Sequence, residues 1–183
     1  SAWMSMLIYV VMAVFSAAAL VTNNKMCSIF SAAMAPTGAL MAFLALFSGS
    51  FWGRPTWGTH WVWDARLTSE LILLFLYLGF LALQSAIADH RRADKACAVI
   101  AIVGVVNVPI IYFSVKWWNT LHQGASITSK GSSIAPIMLY TLLLMVVAFW
   151  IYSFASTFVR ARSMILERER RQTWVQALVK EGK

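Results

Sequence analysis

The sequence predicts an all-α integral membrane protein, a helical bundle with five transmembrane helices in this chain, and three observations carry that expectation. The chain is 60% hydrophobic and 12% charged, whereas a soluble domain carries about 25% charged residues. Apolar stretches near 20 residues recur along its 183 residues, enough to cross a hydrocarbon core about 30 Å thick. Seven of the fifteen Lys and Arg residues fall after Val159, a position in which basic residues set membrane orientation or touch anionic lipid. The net charge of +8 therefore points to membrane lipid, and nucleic acid is not expected as a partner.

The spans read as residues 2–21, 28–50, 67–88, 96–115 and 134–159 of a single transmembrane domain covering 1–183. With five crossings, Lys and Arg divide eleven to four between the two faces. The richer face, with the tail 160–183, is expected to be cytoplasmic. Two outer loops, 51–66 and 116–133, then face outward. The inner turn "ADHRRADK" (88–95) is short and charged, and His90 there reads as a solvated turn residue. Pro36 and Pro109 fall within spans and should kink them, each removing one helical hydrogen bond. Pro136 sits near the first turn of the last span, where a missing N–H costs little. The segment "RSMILERERRQTWVQALVKEGK" reads as a short cytoplasmic helix with Trp174 at the interface. Cys27 and Cys97 lie in no CxxC or CxxCH pattern and read as small apolar residues. The chain opens inside an apolar run with no charged n-region, so the start reads as a truncation and not as a signal peptide.

The outer loops carry the chemistry. Six of the nine tryptophans lie there: Trp52, Trp57, Trp61, Trp63, Trp117 and Trp118. An aromatic belt would mark both interfaces, yet the inner face has only Trp174. Indole rings offer wide, stiff surfaces at small entropic cost, with an N–H for a polar edge. Trp61 and Trp63 would point the same way in an extended segment and diverge in a helix. His122, in "WWNTLHQG", neighbours this shelf, and a neutral imidazole is a standard axial ligand for haem iron. Arg54 and Arg66 suit forked pairing with carboxylates such as haem propionates. Asp64 is expected to cap the third span. Glu70, one turn inside, should face protein or a cavity, because facing lipid is expensive. HExxH, GxSxG and phosphate-binding glycine loops are absent, so no enzyme is expected. The residues alone reach an outward aromatic site for a flat ligand and do not name it.

The stretch "WGTHWVWDARLTSELILLFLYLG" resembles the WWD signature of haem-handling proteins in cytochrome c maturation, and "GVVNVPIIYFSVKWWNTLHQG" is similar to the histidine-bearing segment of the haem exporter protein C (CcmC) family. The resemblance runs from "AMAPTGALMAFLALFSGSFWG" to the basic tail. It implies a six-span protein of the bacterial inner membrane, with a periplasmic WWD loop binding haem b between the shelf and two histidines. It also implies ABC-type partners CcmA and CcmB, the small protein CcmD, and the haem chaperone CcmE that receives haem. On the motif match His122 is the second axial ligand, and Trp57, Trp61, Trp63 and Asp64 form the signature. The first span and first ligating histidine are expected N-terminal to Ser1. His60 stands where the signature more often has Trp, and reads as a flat-ring replacement. Two other classes stay open on the residues alone. One is a redox subunit binding quinone or b-type haem, disfavoured because all three histidines fall in loops. The other is a small-molecule permease with ligand at midplane, where charges are missing.

Overall fold

The computed structural model describes residues 1–118, 127–128, 131–132 and 135–176. Its helices are α1 (Ala2–Thr22), α2 (Lys25–Trp57), α3 (Ala65–Ala86), α4 (His90–Gly104), α5 (Asn107–Trp117) and α6 (Pro136–Arg168). A minimal antiparallel pair, β1 (Ile127–Thr128) with β2 (Gly131–Ser132), is the one departure from helix among the described elements. With α4 and α5 taken as one crossing, five helices are long and apolar enough to span a membrane. The 21 residues of α1 reach about 31 Å at 1.5 Å per residue. This is the helical, multi-pass membrane architecture that the apolar runs predict.

Helix ends follow capping chemistry. Asn23 closes α1 in the left-handed region at φ 52°, which asparagine tolerates better than most residues. Asn24 then caps α2 by accepting from the Met26 N–H at 2.9 Å. Asp89 caps α4 by accepting from the Arg91 N–H at 2.9 Å. The charged stretch read as a turn up to Lys95 is therefore largely the opening of α4, and His90 is its exposed first residue. Pro136 is the first residue of α6, as its missing N–H favours. That helix continues to Arg168, so Arg160, Arg162 and Arg168 project from a helix; Trp174 follows in a short helical turn over 173–176.

Pro109 accounts for the break between α4 and α5. It has no N–H to offer the Val105 carbonyl, and its ring crowds that oxygen. The carbonyl instead accepts from Val108 N–H at 3.0 Å, a tighter three-residue turn. Pro36, by contrast, lies inside α2, and the helix runs on past it.

The core joins α1 through α5. It is built from Tyr9 and Met12, Ala35 and Met41, Leu73, Tyr77 and Phe80, Cys97 and Ala101, and Ile111. Tyr77 lies so close over Gly38 that any side chain at 38 would collide with its ring. Cys97 is buried and Cys27 half-buried. The last helix packs on α2 through Ala161 against Ile29 and Ala33, with Phe158 edge-on to Phe30. Arg168 anchors it further by a forked pair with Asp94, both bonds at 2.8 Å. Towards its N-terminus α6 exposes Ile137, Met138, Leu144 and Ile151, an apolar surface suited to hydrocarbon.

Candidate functional site

The aromatic end of the bundle begins on a helix, not in a loop. Trp52 and Arg54, expected in the loop 51–66, lie on the last turns of α2, which runs on through Pro55 to Trp57. Pro55 removes only one bond there, and Thr56 Oγ1 donates to the Trp52 carbonyl at 2.6 Å. Gly58 ends the helix with φ 77°, its N–H donating to the Arg54 carbonyl at 3.0 Å. Glycine adopts this left-handed conformation without the Cβ penalty.

The non-helical segment that follows is short and internally bonded. Thr59 Oγ1 accepts from Trp61 N–H at 3.1 Å and donates to the Trp61 carbonyl at 2.6 Å. Asp64 N–H donates to the Val62 carbonyl at 2.8 Å. The Asp64 carboxylate accepts from Arg66 N–H at 3.0 Å and caps α3, the role its position suggested; such a cap contributes about 1 kcal/mol. The two ends of the aromatic loop are thus set by Gly58 and Asp64.

The rings pair edge to face. Trp52 meets Trp57 at 5.4 Å with planes at 84°, and Trp61 meets Trp63 at 5.6 Å and 80°. The two alternating rings do come together in non-helical backbone, but perpendicular and not as one flat shelf. Such pairs are worth about 0.5–1.5 kcal/mol beyond burial. Trp63 is 76% exposed. The indole N–H of Trp61, by contrast, is buried with no acceptor among the described residues. His60 is exposed and stands edge-on to Phe51. Arg54 is exposed and Arg66 half-buried.

A second aromatic group sits on α5. Trp117, read as loop, is its last residue, stacked on Phe113 at 5.1 Å and 18°. Trp118 follows as the cap, its ring 6.1 Å from Trp117, and both are exposed. Trp3 of α1 stands edge-on to Tyr112 at 5.7 Å, which ties α1 to this group. His122, the expected iron ligand, lies outside the described residues. Among the described residues no group of three or more His, Cys, Asp or Glu is arranged to hold a metal ion.

Glu70 is 4% exposed, against protein as expected. Its partner was not legible: Ser5 Oγ, on α1, lies 2.7 Å from Oε1. Asn107 Nδ2 donates to the Ser69 carbonyl at 2.9 Å. An asparagine inside the apolar "VVNVPII" was the available signal for that contact.

A family model described as "Heme exporter protein C" matches residues 1–176. A relative of that name from Escherichia coli (strain K12) is 50% identical over 175 residues, covering 96% of this chain and 71% of the relative. Its counterpart in Haemophilus influenzae is 51% identical over 175 residues, covering 95% and 71%. A "Putative cytochrome c biosynthesis ccmC-like mitochondrial protein" of Marchantia polymorpha is 45% identical over 166 residues, covering 91% and 70%.

Proposed function

The chain belongs to the Heme exporter protein C family, and from that premise we propose that its tryptophan-bearing end holds haem b and presents it to the haem chaperone CcmE. The family places the chain in haem handling for cytochrome c maturation, as a transporter-type component. Haem is cargo here, a flat apolar macrocycle with a polar propionate edge and an iron that takes axial ligands.

The observation that carries the reading is Trp61. Its indole N–H is buried without an acceptor among the described residues, and an orphaned donor of that kind costs about 1–3 kcal/mol. A propionate would supply the missing acceptor, while the exposed rings of Trp63, Trp52, Trp117 and Trp118 offer apolar surface to the macrocycle. Arg54 and Arg66 flank the loop as cations for the propionates. Asp64 holds the loop by capping α3. His122 is assigned the axial position on iron, and His60 a flat-ring role beside Trp57, Trp61 and Trp63.

The protein is read as an inner-membrane component with this end periplasmic, because the Lys and Arg majority lies at the other end. CcmA, CcmB and CcmD are its proposed partners. No ATP-binding motif occurs in the sequence, so we assign any energy input to the ABC-type subunits and to the release of loaded CcmE. Replacing His122 with Ala in the full-length protein tests the assignment. The visible spectrum should change, haem should be partly retained by the rings, and added imidazole should restore part of the spectrum. A spectrum that ignores His122→Ala but shifts with His60→Trp would reverse the ligand assignment.

A further inference from the structure

A carboxylate inside a membrane-spanning helix is costly, and by default it points to a function. Glu70 is such a group, and the proposed haem site does not use it. It lies in the second turn of α3, just inside the aromatic loop. One oxygen meets Ser5 Oγ at 2.7 Å; the other, Oε2, is buried with no hydrogen-bond partner among the described residues. Ser5 is itself fully buried, and its carbonyl accepts from Tyr77 OH at 2.8 Å. The preceding residue, Ser69, offers its carbonyl to Asn107 Nδ2, and Asn107 opens α5.

Adjacent residues of α3 therefore hold two other helices by polar contacts. Ser5 follows Trp3 by half a turn on α1; Asn107 begins the helix that ends in Trp117; α3 itself starts just after Trp61 and Trp63. We infer that Glu70 is a positioning residue for haem binding, which with Ser5, Ser69 and Asn107 forms a buried polar clamp fixing the three aromatic-bearing segments in register. This inference rests on the haem reading above. Apolar residues at 5 and 70 would pack without the desolvation cost, and such double replacements are often neutral or stabilising. What an apolar pair lacks is directionality. A hydrogen bond fixes the axial and rotational setting of two helices, which plain apolar packing leaves more free to slip.

The test uses the full-length protein purified with its partner subunits, and follows melting temperature, haem affinity and visible spectrum together. The double variant Ser5→Ala/Glu70→Leu should melt at or above the wild-type temperature, yet bind haem about tenfold more weakly, a shift of about 1.4 kcal/mol. Glu70→Gln, which keeps an acceptor for Ser5, should retain wild-type affinity and spectrum. A double variant that folds and binds haem as wild type does would overturn the clamp alone. So would a Glu70→Gln protein that melts normally but loses haem, since charge and not the Ser5 contact would then be responsible. If the double variant does not fold, Ser5→Ala alone, which removes the same contact, should weaken haem binding, and unchanged affinity there would overturn the clamp. A wild type without haem would overturn the haem reading itself, and the clamp with it.

Discussion

Trp61 and Trp63 stand edge to face with ring centroids 5.6 Å apart, and the buried N–H of Trp61 has no acceptor among the described residues. The pair thus combines one ring open to a ligand with one donor in need of a partner. Trp61→Phe keeps a six-membered aromatic ring and loses the N–H donor together with the five-membered ring that carries it. It should weaken haem binding by about 1 kcal/mol, roughly fivefold, without lowering the melting temperature of the haem-free protein. Haem titration and thermal melting check this. Equal haem affinity in the two proteins would show that the N–H is not used.

Asp64 should matter through its cap on α3. Asp64→Ala removes the acceptor for Arg66 N–H and should cost about 1 kcal/mol of stability. Asp64→Asn keeps an acceptor and should melt close to wild type. Thermal melting by circular dichroism separates the two; an Asn variant as unstable as the Ala variant would mean that the charge matters, not the cap.

The helical bundle was legible because long apolar runs have few other ways to satisfy their backbone in a membrane. Boundaries were harder. Pro55 and the polar residues around it read as loop, yet α2 continues to Trp57, because a proline near a helix end forfeits only one bond. The charged run after Asp89 read as a turn by its polarity, although Asp89 itself was a cap signal. Within the candidate site, the cap at Asp64 and the inward Glu70 followed from local rules. The partners of Glu70 and Ser69 did not, since Ser5 is 65 positions from Glu70 and Asn107 is 38 from Ser69. Contacts at such separations are products of packing. The perpendicular setting of Trp61 and Trp63 likewise depends on the turn at Thr59, which alternation alone does not encode.

The opposite end of the bundle supplies a control. Arg168 and Asp94 form a forked pair, each side chain 14% exposed. Arg168→Leu strands the Asp94 carboxylate and should cost about 3–5 kcal/mol, with the Arg168→Leu/Asp94→Leu pair milder. Haem affinity of the folded fraction should not change. A haem loss comparable to that of Trp61→Phe would show that the two ends are coupled.

Gly38 should tolerate no side chain. Gly38→Val drives into the Tyr77 ring, and overpacking of this kind costs about 1–3 kcal/mol. The variant should show a lower melting temperature, and Gly38→Val/Tyr77→Leu should recover part of the loss. A single variant as stable as wild type would contradict the close approach of α2 and α3.

The central claim is that the aromatic end holds haem, and haem content tests it most directly. A pyridine haemochrome assay on the full-length protein, purified from membranes with and without CcmE, should find haem b in the wild type. The same protein carrying Trp61→Ala and Trp63→Ala should keep its helix content and lose most of that haem. Wild-type protein without haem under both conditions, or a double variant with undiminished haem, would contradict the account.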